Sequence, residues 1–133
     1  MKVVIDTNVI VSALINRAGI PAKVLTLAFG GKLIPLFDNR TLAEYVNVLS
    51  RKEFCFDDVI VNHFIEYVKN AGEYVTAEFS GIKFTDDTDK KFYELYISGG
   101  AQYLITGNKK HFPSEKGIVT PSEFLKREYE VTD

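Results

Sequence analysis

Asp6-Thr7-Asn8 follows directly on the apolar run Val3-Val4-Ile5, with Ser12 one helical turn beyond Asn8. A carboxylate at the end of a buried strand faces the crevice that strand ends border in an open α/β sheet. Either Asp6 or Asn8 suffices to cap a helix over residues 9–15. Three small polar residues in a row exceed what one cap needs, so Asp6 is expected to carry chemistry. Asp89 is a second anomaly, because it shares the i, i+3, i+4, i+7 face with Phe92, Tyr93 and Tyr96. A carboxylate aligned with apolar side chains needs a cation, a metal or a cap. A first-turn position would also suit the helix dipole, although Asp86 and Asp87 hold the better cap positions. Thr106-Gly107-Asn108 closes a later apolar run and precedes Lys109, Lys110 and His111. It reads as a turn with a solvated basic face, or as polar groups facing the same crevice as Asp6.

Glu44 reads two ways. On a helical wheel it lies nearly opposite Leu42, Tyr45, Val46 and Leu49, and Thr41-Leu42-Ala43-Glu44 has the form of a capping box. Against that solvated reading stands its position, in the first turn after a strand's carboxyl end. Two residues are set aside. His63 is expected at the surface or core edge, and Cys55 is expected as a small core residue.

Five short strands are expected to position these groups: residues 3–5, residues 33–37 with Pro35 implying an edge or an irregularity, a weaker one over 74–76, residues 103–106 and residues 118–119. Helices fall between them. One over 22–29 stops at Gly30-Gly31. The next holds Leu42 to Leu49, and a third runs from Asp57 or Asp58 as N-cap to Gly72. Phe92, Leu95 and Tyr96 precede Gly99-Gly100, and Thr120-Pro121-Ser122-Glu123 is a capping box that opens a last helix to Tyr129. Strands alternating with helices imply parallel pairing through right-handed crossovers.

The chain has 133 residues, no linker, repeat or low-complexity tract, and is expected to form one domain over 1–133. One cysteine and two histidines exclude a disulfide framework and a Cys-rich zinc site. The opening residues have neither a signal peptide's apolar stretch nor a membrane span, so a cytoplasmic protein with no membrane partner is expected. A net charge of −2 excludes nucleic-acid binding by bulk positive charge. A nucleic-acid partner would need a local basic patch, or a metal bridging carboxylates to phosphate.

The motifs in order, Asp6-Thr7-Asn8-Val9 with Ser12-Ala13-Leu14, Leu42-Ala43-Glu44-Tyr45, Asp86-x-x-Asp89-x-x-Phe92 and Ala101-x-Tyr103-Leu104-Ile105-Thr106-Gly107-Asn108, resemble a PIN domain, down to Thr120-Pro121-x-x-Phe124-Leu125. More narrowly, they resemble the PIN-family toxin components of toxin–antitoxin systems and are similar to the VapC-like ribonucleases. The resemblance implies a three-layer α/β/α, Rossmann-like fold with a mostly parallel sheet of four to five strands. It implies an endoribonuclease dependent on Mg2+ or Mn2+, with Asp6, Glu44 and Asp89 as catalytic acids and metal ligands. Asn108 would join them at the metal, and Asn8, Ser12 and Thr106 would be supporting polar groups. Many PIN domains carry an acid where this chain has Asn108, so weaker metal binding, one ion instead of two, or reduced activity follows. The implied partners are an RNA substrate and a cognate antitoxin, and homodimers are common among such proteins.

Three acids from separate elements supply the hard oxygen ligands that Mg2+ takes, and no soft ligand selects zinc. Arg40, Arg51, Lys52, Lys109 and Lys110 are the candidates for phosphate contacts, with single-stranded RNA as the more readable substrate. A haloacid-dehalogenase-type phosphatase is disfavoured because Asn8 stands where its second aspartate is needed. A response-receiver domain is disfavoured because Lys109 follows the wrong local setting. The remaining alternative is a degenerate PIN module that binds RNA or a partner protein without cutting.

Overall fold

The computed structural model describes residues 1–84 and 87–129, so the cap position of Asp86 lies outside the described residues. The elements are β1 (Lys2–Ile5), α1 (Thr7–Ile15), α2 (Ile20–Phe29), β2 (Ile34–Phe37), α3 (Asn39–Leu49), α4 (Asp58–Ala71), β3 (Glu73–Tyr74), α5 (Asp87–Ser98), β4 (Tyr103–Ile105), β5 (Ile118–Val119) and α6 (Pro121–Glu128). Two 3-10 turns occupy Lys52–Phe54 and Lys109–His111.

The five strands form one parallel sheet in the order β3-β2-β1-β4-β5. The chain steps from β1 to β2 to β3 in one direction and returns past β1 to β4. Right-handed crossovers therefore place α1 to α4 on one face and α5 on the other. α5 packs on β1, β2 and β4, while α6 packs on β4, β5 and α2. β1 is covered on both faces, which is why Val3-Val4-Ile5 is a continuous apolar run and does not alternate. The strand order reverses between β1 and β4, and at such a switch point the carboxyl ends of two neighbouring strands open a crevice.

Local signals set several boundaries. Asp57 caps α4 by accepting from the Val59 N–H at 2.8 Å. Thr120 and Glu123 form the expected capping box of α6. The start of α3 differs from expectation. Its N-cap is Asp38, whose carboxylate accepts the Thr41 N–H at 2.9 Å while the Thr41 hydroxyl accepts the Asp38 N–H at 3.0 Å. Thr41 is thus the third residue of the box, and Glu44 lies a turn further in. The buried face of α3 is Thr41, Tyr45 and Leu49, while Val46 is 42% exposed. That rotation brings Glu44 from the far side of the helix to the rim of its buried face.

Three smaller corrections follow from packing. Pro35 is not on an edge strand, since β2 lies between β1 and β3. It precedes the β2–β3 pairing, which begins at Leu36, so its missing N–H interrupts no ladder there. β3 sits one residue earlier than expected, with Val75 adding one bond from its N–H to the Phe37 carbonyl at 2.9 Å. Cys55 is exposed and adopts a left-handed φ of 52°, closing a 3-10 turn where a core residue was expected. Among the described residues, no single helix is long and apolar enough to cross a membrane.

Gly72 joins α4 to β3 at a point where a Cβ would fall well inside contact distance of the Val68 and Pro35 carbonyl oxygens. Both are backbone atoms and cannot rotate away. Gly72→Ala is expected to lower the unfolding free energy by about 1–3 kcal/mol in urea titration. Gly81→Ala, where nothing lies within 4 Å of the added carbon, is expected to leave it unchanged.

Candidate functional site at the carboxyl end of the sheet

β1 and β4 run in register, Ile5 beside Ile105, and the Asp6 N–H continues the ladder to the Ile105 carbonyl at 2.9 Å. Asp6 is the N-cap residue of α1, yet its side chain makes no capping hydrogen bond. The carboxylate instead accepts the Thr106 hydroxyl at 2.8 Å, and both residues are buried. The Thr106 oxygen in turn accepts the Asn108 N–H at 3.0 Å, which fixes the hydroxyl's direction. Asn8 ties the same two strand ends together by accepting the Gly107 N–H at 3.0 Å. Asn108 and Ser12 are exposed, the first at the start of the 3-10 turn and the second one turn along α1.

Withdrawal from water is the main reason the Asp6 carboxyl is pushed up to about 6 from 3.8. The Thr106 hydrogen bond opposes that rise, and the negative charges of Asp89 and Glu44 add to it. The nearby Asn8 N–H draws it down slightly without forming a cap bond. Three acids from β1, α3 and α5 therefore share one electrostatic neighbourhood, although they lie far apart in sequence. Tyr45 is sealed beneath them, donating its hydroxyl to the Ile5 carbonyl. Burial raises its pKa, and the charges of Asp6, Glu44 and Asp38 raise it further.

The two outer acids are already paired. Glu44 accepts the Thr7 hydroxyl on Oε2 and meets the Lys91 ammonium at 2.6 Å on Oε1. Asp89 Oδ2 lies 3.2 Å from His111 Nδ1. As the side chains stand, no three of His, Cys, Asp and Glu among the described residues are arranged to hold a metal ion. The donor chemistry nevertheless fits a hard divalent cation. All three acids offer oxygen, and the charges of Asp89 and Glu44, which add to the rise that burial causes at Asp6, are ones a cation would offset.

A second acidic pair, not foreseen from sequence, stands behind the first. Arg40 meets Asp38 at 2.9 Å and Glu94 at 2.6 Å, and Glu94 also accepts the Ser80 N–H. The Arg40 guanidinium lies over the Phe79 ring, 5.7 Å from its centre. Glu94 carried a signal: it interrupts Phe92-Tyr93-Leu95-Tyr96, and it is 2% exposed. Arg40 is thus held by two carboxylates, and Lys109 is held by Glu123 at 3.0 Å. Arg51, Lys52 and Lys110 are exposed. Arg51 borders a groove of about 520 Å³ that also touches Arg40, Glu44, Asn47, Thr88 and Lys91.

A sequence model of the PIN domain family matches residues 2–110, most of the chain, including Asp6, Glu44 and Asp89. The chain is also similar to an uncharacterized protein of Methanocaldococcus jannaschii, 62% identical over 34 residues. That match covers 26% of this chain and 22% of the relative, so it spans about a fifth of the relative's length.

An acid whose pKa is higher folded than unfolded keeps its proton longer in the folded state. Asp6 therefore costs nothing below about pH 3, where both states hold the proton. The cost grows as the pH rises from there through about 6, and is constant above. Asp6→Asn should match the wild-type stability at about pH 3 and exceed it at about pH 7.5 by an amount on the order of 2 kcal/mol. Urea titrations in chelator at the two pH values check this; a difference that does not change with pH would contradict the desolvated carboxylate.

Proposed function

The chain belongs to the PIN domain family, whose members are generally nucleases, and from that premise we propose that it is a Mg2+- or Mn2+-dependent endoribonuclease. In this reading it is the cytoplasmic toxin component of a toxin–antitoxin pair, with a cognate antitoxin as partner and a homodimer as its assembled form. The observation that carries the nuclease reading is the buried Asp6 carboxylate at the switch point of the sheet, raised in pKa mainly by withdrawal from water and further by the charges of Asp89 and Glu44.

When bound, a hard divalent cation supplies Lewis acidity toward the phosphodiester. Asp6, Glu44 and Asp89 are the ligands this chain offers, with the Asn108 amide oxygen at the rim. Thr106 aims Asp6, and its own hydroxyl is aimed by the Asn108 N–H. Asn8 holds the loop after β4 against α1, which keeps Asp6 and Asn108 on one side of the crevice. Ser12, exposed one turn on along α1, is a supporting polar group. Phosphates on either side of the cleaved bond would meet Arg51, Lys52 and Lys110. Arg40 and Lys109 first have to share their charge with the carboxylates that hold them. Unstacked single-stranded RNA suits so small a surface.

A second reading has its own support. Glu44 is already paired with the Lys91 ammonium, Asp89 lies against the His111 ring, and Asn108 adds no charge. A module that binds RNA or protein without cutting would need no more than this.

Cleavage of an unstructured RNA with Mn2+ separates the two readings. The nuclease should cut, stop in chelator, and lose roughly a hundredfold or more on Asp6→Asn. Asn108→Asp adds a ligand charge and should bind the ion more tightly, with cleavage equal or faster. Silence from both the wild type and Asn108→Asp would replace the nuclease with the binding module.

A further inference from the structure

Lys91 stands on α5 with its ammonium 2.6 Å from Glu44 and 2.6 Å from the Thr88 carbonyl, and its side chain is only 16% exposed. Glu44 is nearly as enclosed, at 19%, and its second oxygen holds the Thr7 hydroxyl. Both oxygens of this carboxylate are therefore engaged within the chain. Each oxygen keeps a free lone pair, so a hard cation that bonds to Glu44 has to share the carboxylate with those two donors. The Thr7 hydroxyl is neutral and turns about one bond. The ammonium carries a full charge, sits at the oxygen facing α5, and repels a second cation placed there.

Lysine differs from arginine in holding a compact charge on a flexible four-carbon stem. The groove beside Lys91 offers that charge somewhere to go. It is lined by Ala43, Asn47, Val48 and Thr88, and it opens to solvent next to Arg51. The ion pair with Glu44 is thus a contact that can be exchanged without unfolding either helix.

We propose that Lys91 is an intrachain cation that competes with the divalent metal for Glu44, so that the charge at residue 91 sets how tightly the site loads. The proposal rests on the metal-dependent reading above. It makes Lys91 a positioning residue, acting through Glu44 and not on RNA. It also accounts for a site whose acids are gathered yet closed to an ion as they stand: one of them is already neutralised from within.

The test is Mn2+ binding to the full, chelator-stripped chain without RNA, with free ion counted by electron paramagnetic resonance. Lys91→Met removes the charge and should bind Mn2+ about tenfold more tightly than the wild type. Lys91→Arg keeps the charge and should stay within about twofold, as should Lys126→Met, which removes an exposed charge on α6. If circular dichroism shows that Lys91→Met does not fold, Lys91→Gln, which keeps a donor for Thr88, should give the same tightening. Equal or weaker Mn2+ binding by the uncharged variants would overturn the proposal and leave the metal-dependent reading standing. No Mn2+ uptake by any variant, the wild type included, would overturn both.

Discussion

A carboxylate removed from water must be compensated by whatever surrounds it, and the end of this sheet is arranged around one such group. β1 is buried on both faces, so the residue that terminates it has no route to solvent along the strand. Asp6 occupies that place and is 3% exposed. Its single strong partner is a neutral hydroxyl, which moderates its charge without cancelling it. The neighbouring acids then cannot approach freely. Glu44 and Asp89 are held at the rim, each against a basic side chain of the same chain. A site that concentrates negative charge draws basic side chains against it, and here α5 supplies the Lys91 ammonium and the turn after β4 the His111 ring.

The same logic explains the second network. Asp38 ends β2 and caps α3, Glu94 lies inside α5, and Arg40 bridges the two, with the Ser80 N–H on the far oxygen of Glu94. Removing one member of a buried pair leaves the other uncompensated, which costs more than the intact pair contributes. The effect is geometric: the segment after β3 is pinned to α5, and α5 is pinned to the start of α3. The groove beside Glu44 keeps its width through that clasp.

Much of this was legible in the sequence where the signal is local. The run Val3-Val4-Ile5 ending at Asp6, the capping box at Thr120 and the Asp57 cap each need only a few adjacent residues. The parallel sheet followed from alternation. Glu44 was harder because its wheel was centred on Leu42 and Val46, whereas the helix buries Thr41, Tyr45 and Leu49. Hydrophobicity alone favoured the first set. The buried threonine is held by the cap at Asp38, a contact that apolar spacing does not mark. The pairs Arg40 with Glu94 and Lys91 with Glu44 are tertiary, and no spacing rule predicts them. Cys55 was misjudged for a related reason: apolar neighbours imply a core, but a left-handed turn residue is set by the path of the backbone.

The hydrogen bond between Asp6 and Thr106 joins residues 100 positions apart, and it closes the centre of the sheet, not its margin. β1 can pair with β2 early in synthesis, but its other edge stays open until β4 has been made. During that interval the growing chain presents an unpaired apolar strand edge, the feature most prone to mispairing with other chains. It also lacks a formed crevice, because one wall has yet to be translated. The molecule is thus born without its site, and acquires it only once β4 has left the ribosome.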